Sequence, residues 1–135
     1  MAKRRPIKIG RHTLGGRELL FILGPCVIES PAFTRRMATR IKKICDGEGA
    51  SFVFKASYDK ANRTSLAGDR GTGMKTGLLL LAMVKQDYGF PVLTDVHEYT
   101  PMDEVAAVVD VLQTPAFLCR QTDFIQKVAS AGRPV

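Results

Sequence analysis

ELLFILGPC, residues 18 to 26, is a continuous apolar run of strand length that stops at Gly24 and Pro25. Apolar side chains at both alternating positions suit a strand buried on both faces, the usual state of a strand in a parallel sheet. The run ends on a thiol, Cys26, at the mouth of that strand. The next segment changes period. Ser30 is placed to cap a helix and Pro31 to begin it, while Phe33, Met37, Ile41 and Ile44 recur at helical spacing until Gly47 and Gly49 stop it.

The same unit then repeats. SFVFKAS at residues 51–57 reads as a short strand, a long polar loop runs through residues 58–73, and MKTGLLLLAMVKQDYG is a second helix with a glycine terminator. FPVLTDV is a third strand, and Thr100 with Pro101 opens a helix to about Val109. DVLQTPAF holds a fourth strand, and QTDFIQKVASAG is a helix closed by Gly132. Upstream, IKIGRHTLGG predicts a small hairpin, and the final RPV reads as the entry to a fifth strand.

Alternating strand and helix predict an α/β protein built from βα units. Four such units make either a small open sheet or the first half of an eight-unit (β/α)8 TIM barrel, which typically needs ~250 residues. We expect the half barrel, with residues 1–16 as basic tail and hairpin and residues 17–135 as the first four units. A half barrel leaves its first and fourth strands as open edges.

Of 135 residues, 45% are hydrophobic and 24% charged, too apolar for a disordered chain. The net charge of +7 points to anionic partners. Lys3, Arg4, Arg5, Lys8 and Arg11 crowd the first dozen positions and read as a solvated tail. No aromatic residues are interleaved with them and Trp is absent, so nucleic acid is not the expected partner. The basic start lacks the apolar stretch of a secretory signal, and no window is long enough to span a membrane. Cys26, Cys45 and Cys119 are three widely spaced cysteines with no C-x-x-C, which argues against a disulfide framework and for a reducing, cytoplasmic setting. Cys45 and Cys119 read as small buried hydrophobes.

Functional groups of a parallel α/β sheet gather at the carboxyl ends of its strands. Those positions hold Cys26, then Lys55 and Ser57, then Asp95 and His97, then Gln113. The loop KASYDKANRTS packs Lys55, Lys60 and Arg63 together with Asn62, Thr64 and Ser65, a mixture of charge and directional donors suited to phosphate or carboxylate oxygens. Taken alone it reads equally as a solvated basic loop; Lys55, ending an apolar strand, tilts the reading toward a site. GDRGTG at residues 68–73 fits neither dinucleotide nor P-loop spacing and reads as a flexible helix entry. Asp95 and His97, two apart, fall on one side of an extended segment, as a strand-end network or as an acid, base or hydroxyl acceptor.

Together, GPCVIES, FVFKASYDKANRTS, TDVHE and LQTPAFLCRQTD, in this order, resemble the amino-terminal half of the 3-deoxy-D-manno-octulosonate 8-phosphate synthases, with DKANRTS the most specific element. The related 3-deoxy-arabino-heptulosonate 7-phosphate synthases share GPC but typically carry a K-P-R-T-S type loop. The resemblance implies a homotetrameric transferase of lipopolysaccharide biosynthesis, a (β/α)8 barrel with a hairpin across its bottom. It implies condensation of phosphoenolpyruvate with arabinose 5-phosphate and water, with release of phosphate. It places Lys55 and Lys60 at phosphoenolpyruvate and the aldehyde, with Ser57, Gln113 and Ala116 beside them. Asn62, Arg63, Thr64 and Ser65 would hold the pentose phosphate, Arg63 at a neighbouring subunit's site. Asp95 would accept a pentose hydroxyl, and Phe117 and Arg120 would lie in a subunit contact.

These synthases fall into a group with cysteine at the position of Cys26, which binds a divalent metal, and a group with asparagine, which needs none. The resemblance therefore implies a metal at Cys26, zinc, ferrous iron or manganese, and a thiolate favours the softer or borderline ions. The other metal ligands of the family have no counterpart in these 135 residues. The alternatives are a heptulosonate synthase and a phosphate-ligand-binding fragment without turnover.

Overall fold

The computed structural model describes residues 5–135, so Lys3 and Arg4 of the basic run lie outside the described residues, while Arg5, Lys8 and Arg11 are exposed. A hairpin of β1 (Ile7–Ile9) and antiparallel β2 (His12–Leu14) precedes four parallel strands in chain order: β3 (Leu20–Leu23), β4 (Ser51–Lys55), β5 (Val92–Asp95) and β6 (Val111–Gln113). Between and after them lie α1 (Pro31–Glu48), α2 (Met74–Tyr88), α3 (Met102–Val108), a 3-10 turn at Ala116–Leu118 and α4 (Thr122–Ala129). A parallel sheet in sequential order, each strand followed by a helix, is the partial (β/α)8 architecture expected from the element rhythm.

The strands' alternation divides the core in two. Phe52 and Phe54 of β4, Val92 of β5 and Leu112 of β6 join Ala38, Cys45, Leu81, Val84, Val105, Phe124 and Val128 of the four helices in one large cluster. Phe90 sits within it, its ring 4.7 Å from Phe52, 6.2 Å from Phe54 and 5.4 Å from Tyr88. Residues of the other parity, Val53, Leu93 and Val111, pack with Ile9 of the hairpin in a smaller cluster. The hairpin therefore covers the amino-end part of the helix-free side, and an apolar cavity of about 450 Å³ remains there.

Several expectations need correction. β3 lies at the sheet edge, as a half barrel implies, but it is not buried on both faces: Phe21 is 43% and Ile22 60% exposed. Of the α1 positions read as its apolar stripe, Ile41 packs against the core but Ile44 is exposed; Thr34, Ala38 and Cys45 face inward instead. Small residues win there because α1 lies close to α2 and β4. Gly47 does not stop α1 but lies within its last turn, and Gly49, in the left-handed region at φ 62°, supplies the cap. α3 begins at Met102, after Pro101, because the Thr100 hydroxyl is already engaged by the turn before it. Cys119 is exposed, not buried. The 3-10 turn was not anticipated. The terminal RPV forms no strand, but the Pro134 carbonyl accepts the Leu112 N–H at 2.9 Å and so lies alongside β6.

Candidate active site

The side of the sheet that is apolar at Val53, Leu93 and Val111 turns polar one pleat period later. Lys55, Asp95 and Gln113 are each two residues beyond those positions and end β4, β5 and β6. Asp95 and Gln113 are register partners, and the Val96 N–H donates to the Gln113 carbonyl at 3.1 Å. Gly24 brings Cys26 to the same end. A side chain at 24 would put its Cβ 1.9 Å from the Lys55 carbonyl oxygen, so the glycine of the GPC turn lets β3 and β4 end in contact. Ser57 then donates its N–H to the Cys26 carbonyl at 3.4 Å.

At the centre, the Lys55 and Lys60 ammonium groups both donate to Ser57 Oγ, at 3.1 and 2.8 Å. Burial, and then the charge of Lys60, press the Lys55 pKa below the ordinary lysine range; the Asp95 and Cys26 charges offset part of this. Asp95 is 6% exposed. Burial pushes its carboxyl up, but the polar side chains of His97 and Ser57 and the Lys55 charge beside it outweigh this and leave the pKa below the usual carboxylate range. His97 Nε2 lies 3.4 Å from Asp95 Oδ2, whereas Asp95 Oδ1 is buried with no hydrogen-bond partner among the described residues. A buried carboxylate oxygen left unsatisfied is costly, and this one is an acceptor at a strand's carboxyl end.

The structure brings Cys26, Lys55, Ser57, Lys60, Asp95 and Gln113 to one end of the sheet. Asn62, Arg63, Thr64 and Ser65 lie in an exposed loop, where the Arg63 Nε donates to the Asp69 carbonyl at 2.7 Å. That loop is tied down at its base, by the Lys60 N–H on the Arg70 carbonyl and by the Arg70–Asp59 ion pair at 2.6 Å. Ala116 and Phe117 are exposed in the 3-10 turn, Phe117 stacking on His97 with centroids 6.3 Å apart; Arg120 lines a separate cleft with Glu98 and Lys127. A cleft of about 580 Å³ opens beside His97, Tyr58, Arg70 and Phe117.

Sequence reasoning passed over three supports of this end. Tyr58 is 3% exposed beneath His97, Thr100 bonds His97, and Lys127 donates to the carbonyls of Glu98 and Thr100 at 3.2 and 2.8 Å. A threonine three residues after a strand-end histidine was the available signal for the second, because Ser and Thr side chains bond nearby backbone in turns. The other two arise from contacts remote in sequence.

Parallel βα units in sequential order, an amino-end hairpin and cations gathered at the strands' carboxyl ends define a protein of partial (β/α)8-barrel type. The chain belongs to the DAHP synthetase I family, whose family model matches residues 3–135. It is 64% identical over 117 residues to a 2-dehydro-3-deoxyphosphooctonate aldolase of Stenotrophomonas maltophilia (strain R551-3), covering 87% of this chain and 42% of that protein. It is 62% identical over 117 residues to the protein of that name from Thiobacillus denitrificans, with the same coverage. With the one from Methylococcus capsulatus it shares 56% identity over 132 residues, 97% of this chain and 47% of the relative. The chain thus spans somewhat under half the length of these relatives.

Proposed function

We propose that the intact protein condenses phosphoenolpyruvate with arabinose 5-phosphate and water, giving 3-deoxy-D-manno-octulosonate 8-phosphate and phosphate. The observation that carries this reading is the convergence of Lys55 and Lys60 on one hydroxyl, next to a buried carboxylate with one oxygen unpartnered. Two cations within hydrogen-bond reach of one oxygen repel each other unless an anion joins them, and phosphoenolpyruvate brings both a phosphate and a carboxylate. The shared name of the relatives favours the octulosonate over the heptulosonate alternative.

In this mechanism Lys55 and Lys60 fix phosphoenolpyruvate, with Ser57, Gln113 and the backbone of Ala116 as polar neighbours. The enol carbon attacks the aldehyde carbon, whose oxygen takes a proton, while water adds to the adjacent carbon and phosphate departs. Lys60 polarises the aldehyde oxygen, and Asp95 Oδ1 accepts a pentose hydroxyl. Asn62, Arg63, Thr64 and Ser65 hold the pentose phosphate; their exposure suits a loop that orders on its ligand. Orientation and electrostatics carry most of the rate.

Cys26 is exposed at the same mouth as Lys55, and as a thiolate ligand it would fit a borderline divalent ion such as zinc or ferrous iron. Among the described residues no three His, Cys, Asp or Glu side chains form a metal-binding group, so Cys26 would be one ligand of a set completed from elsewhere. A bound ion would act as a Lewis acid that orients water or the aldehyde. Chelation is expected to remove activity and an added divalent ion to restore it, and Cys26→Ser is expected to lower metal content measured directly. Full activity of the verified metal-free protein would remove the metal role of Cys26.

We further place the protein in the cytoplasm as a homotetramer. The half-exposed Phe117, with Arg120 near it, supports a subunit contact. The deciding assay supplies phosphoenolpyruvate with either arabinose 5-phosphate or erythrose 4-phosphate to the intact protein and measures phosphate release. Preference for the pentose is expected; equal turnover of the tetrose would overturn the reading.

A further inference from the structure

Thr100 stands before Pro101 where a helix opener was expected, yet its hydroxyl does other work. Thr100 Oγ1 accepts the His97 N–H at 2.8 Å, and the Thr100 N–H donates back to the His97 carbonyl at 3.0 Å. This reciprocal pair closes the turn at residues 97–100 into a ring. The hydroxyl also meets the Tyr58 hydroxyl at 3.3 Å, in a bond buried between residues 42 apart in the chain. Thr100 is 6% exposed, so neither bond is replaced by water if it is lost.

The ring of His97 is held by the same neighbours. Tyr58 meets it edge-on at 6.3 Å and 90°, Phe117 stacks on its other side at 6.3 Å and 20°, and its Nε2 lies 3.4 Å from Asp95 Oδ2. Tyr58 itself has little freedom, because α2 presses on it at Gly77, where a Cβ would come within 2.2 Å of the Tyr58 Cβ. From outside, Lys127 pins the carbonyls of Glu98 and Thr100.

We propose that Thr100, seated on Tyr58, is a positioning residue that sets His97 against Asp95, and through it aims the free Asp95 Oδ1 at a hydroxyl of the sugar. The inference rests on the reading of Asp95 as a sugar-hydroxyl acceptor. Its action is specific to one substrate. Lys55 and Lys60 are held through Ser57 rather than through the turn's hydrogen bonds, so misplacing Asp95 is expected to weaken the sugar far more than phosphoenolpyruvate.

Thr100→Val keeps the shape and removes both hydroxyl bonds, whereas Thr100→Ser restores them. In the intact protein, Thr100→Val is expected to raise KM for arabinose 5-phosphate roughly tenfold or more, with KM for phosphoenolpyruvate within about twofold. Thr100→Ser is expected to match the wild type. A valine variant equal to the serine variant, or a parallel rise in both KM values, would overturn the proposal. Tyr58→Phe carries the test if Thr100→Val does not fold, with a rise on the order of two- to threefold confined to the sugar. A second readout is independent of turnover. The chain has two histidines, so the His97 imidazole nitrogen resonances are assigned by their loss in His97→Gln. Thr100→Val should move or broaden them while His12 stays in place, and unmoved His97 resonances would also overturn the proposal. If wild-type protein does not turn over arabinose 5-phosphate, the functional reading falls and the resonances alone decide the positioning.

Discussion

Asp110 and Asp95 sit at opposite ends of one sheet and are treated in opposite ways. At the amino end, Asp110 Oδ1 accepts from Lys85 Nζ at 2.8 Å and Oδ2 accepts the Val92 N–H at 2.9 Å, so both oxygens are satisfied from within the chain. At the carboxyl end, Asp95 is more deeply buried, yet one oxygen has no partner among the described residues and its neighbours include a lysine whose own charge is disfavoured. The amino-end carboxylate is satisfied from within the chain; the carboxyl end retains a buried acceptor, Asp95 Oδ1, that the described residues leave unpaired.

The largest effect expected from that contrast is functional and confined to the carboxyl end. Arg63→Ala removes a charge-assisted contact worth ~1.5–3 kcal/mol, so the sugar requirement should rise roughly ten- to over a hundredfold with that for phosphoenolpyruvate little changed. Denaturant unfolding should stay within about 0.5 kcal/mol of wild type, because Arg63 is exposed. Unchanged sugar affinity would return Arg63 to an ordinary solvated loop.

Asp110→Ala is the matching change at the amino end. It leaves the Val92 N–H and the Lys85 ammonium without this acceptor and should cost about 1–3 kcal/mol in urea unfolding, with activity per folded molecule preserved. Loss of activity without loss of stability would break the comparison. Smaller, and opposite in sign, is the expected effect of Lys55→Met. Because burial and Lys60 disfavour the charged Lys55, its removal should leave stability unchanged or raised while phosphoenolpyruvate binding is lost. A clear loss of stability would show that Lys55 is a structural group.

The smallest effect is in pH. The Asp95 pKa is lower folded than unfolded, so its ionised form stabilises the fold. That contribution is present above the ordinary aspartate value of about 3.9 and fades as pH falls through the lower folded value. Urea midpoints of Asp95→Asn between pH 6 and 3 should therefore fall less steeply than those of wild type. Parallel slopes would remove the shift.

Much of this contrast was legible in the sequence. The apolar runs at residues 18–26, 51–57 and 90–96, each followed by helical spacing, dictated the βα order, because period and punctuation are local properties of the chain. Lys55, Asp95 and Gln113 could be placed at strand ends for the same reason. Side-chain burial was less legible. The α1 stripe shifted by one residue in its register because packing against α2 and β4 favours Thr34, Ala38 and Cys45 over larger side chains. β3 reads as fully buried, but its exposure depends on what neighbours it, and in this chain it lies at the edge of the sheet.

By itself the sequence determined the alternating elements, the Gly24-Pro25 turn that ends the first apolar run, and the residue types gathered at the strands' carboxyl ends. Each follows from neighbours in sequence or from the two-residue period of a strand. Only the tertiary structure decided that Lys55 and Lys60 share Ser57, that Asp95 keeps one oxygen free, and that Tyr58 and Thr100 hold His97. Those relations join residues up to 42 positions apart, and their geometry exists only once the helices have packed the strands into register.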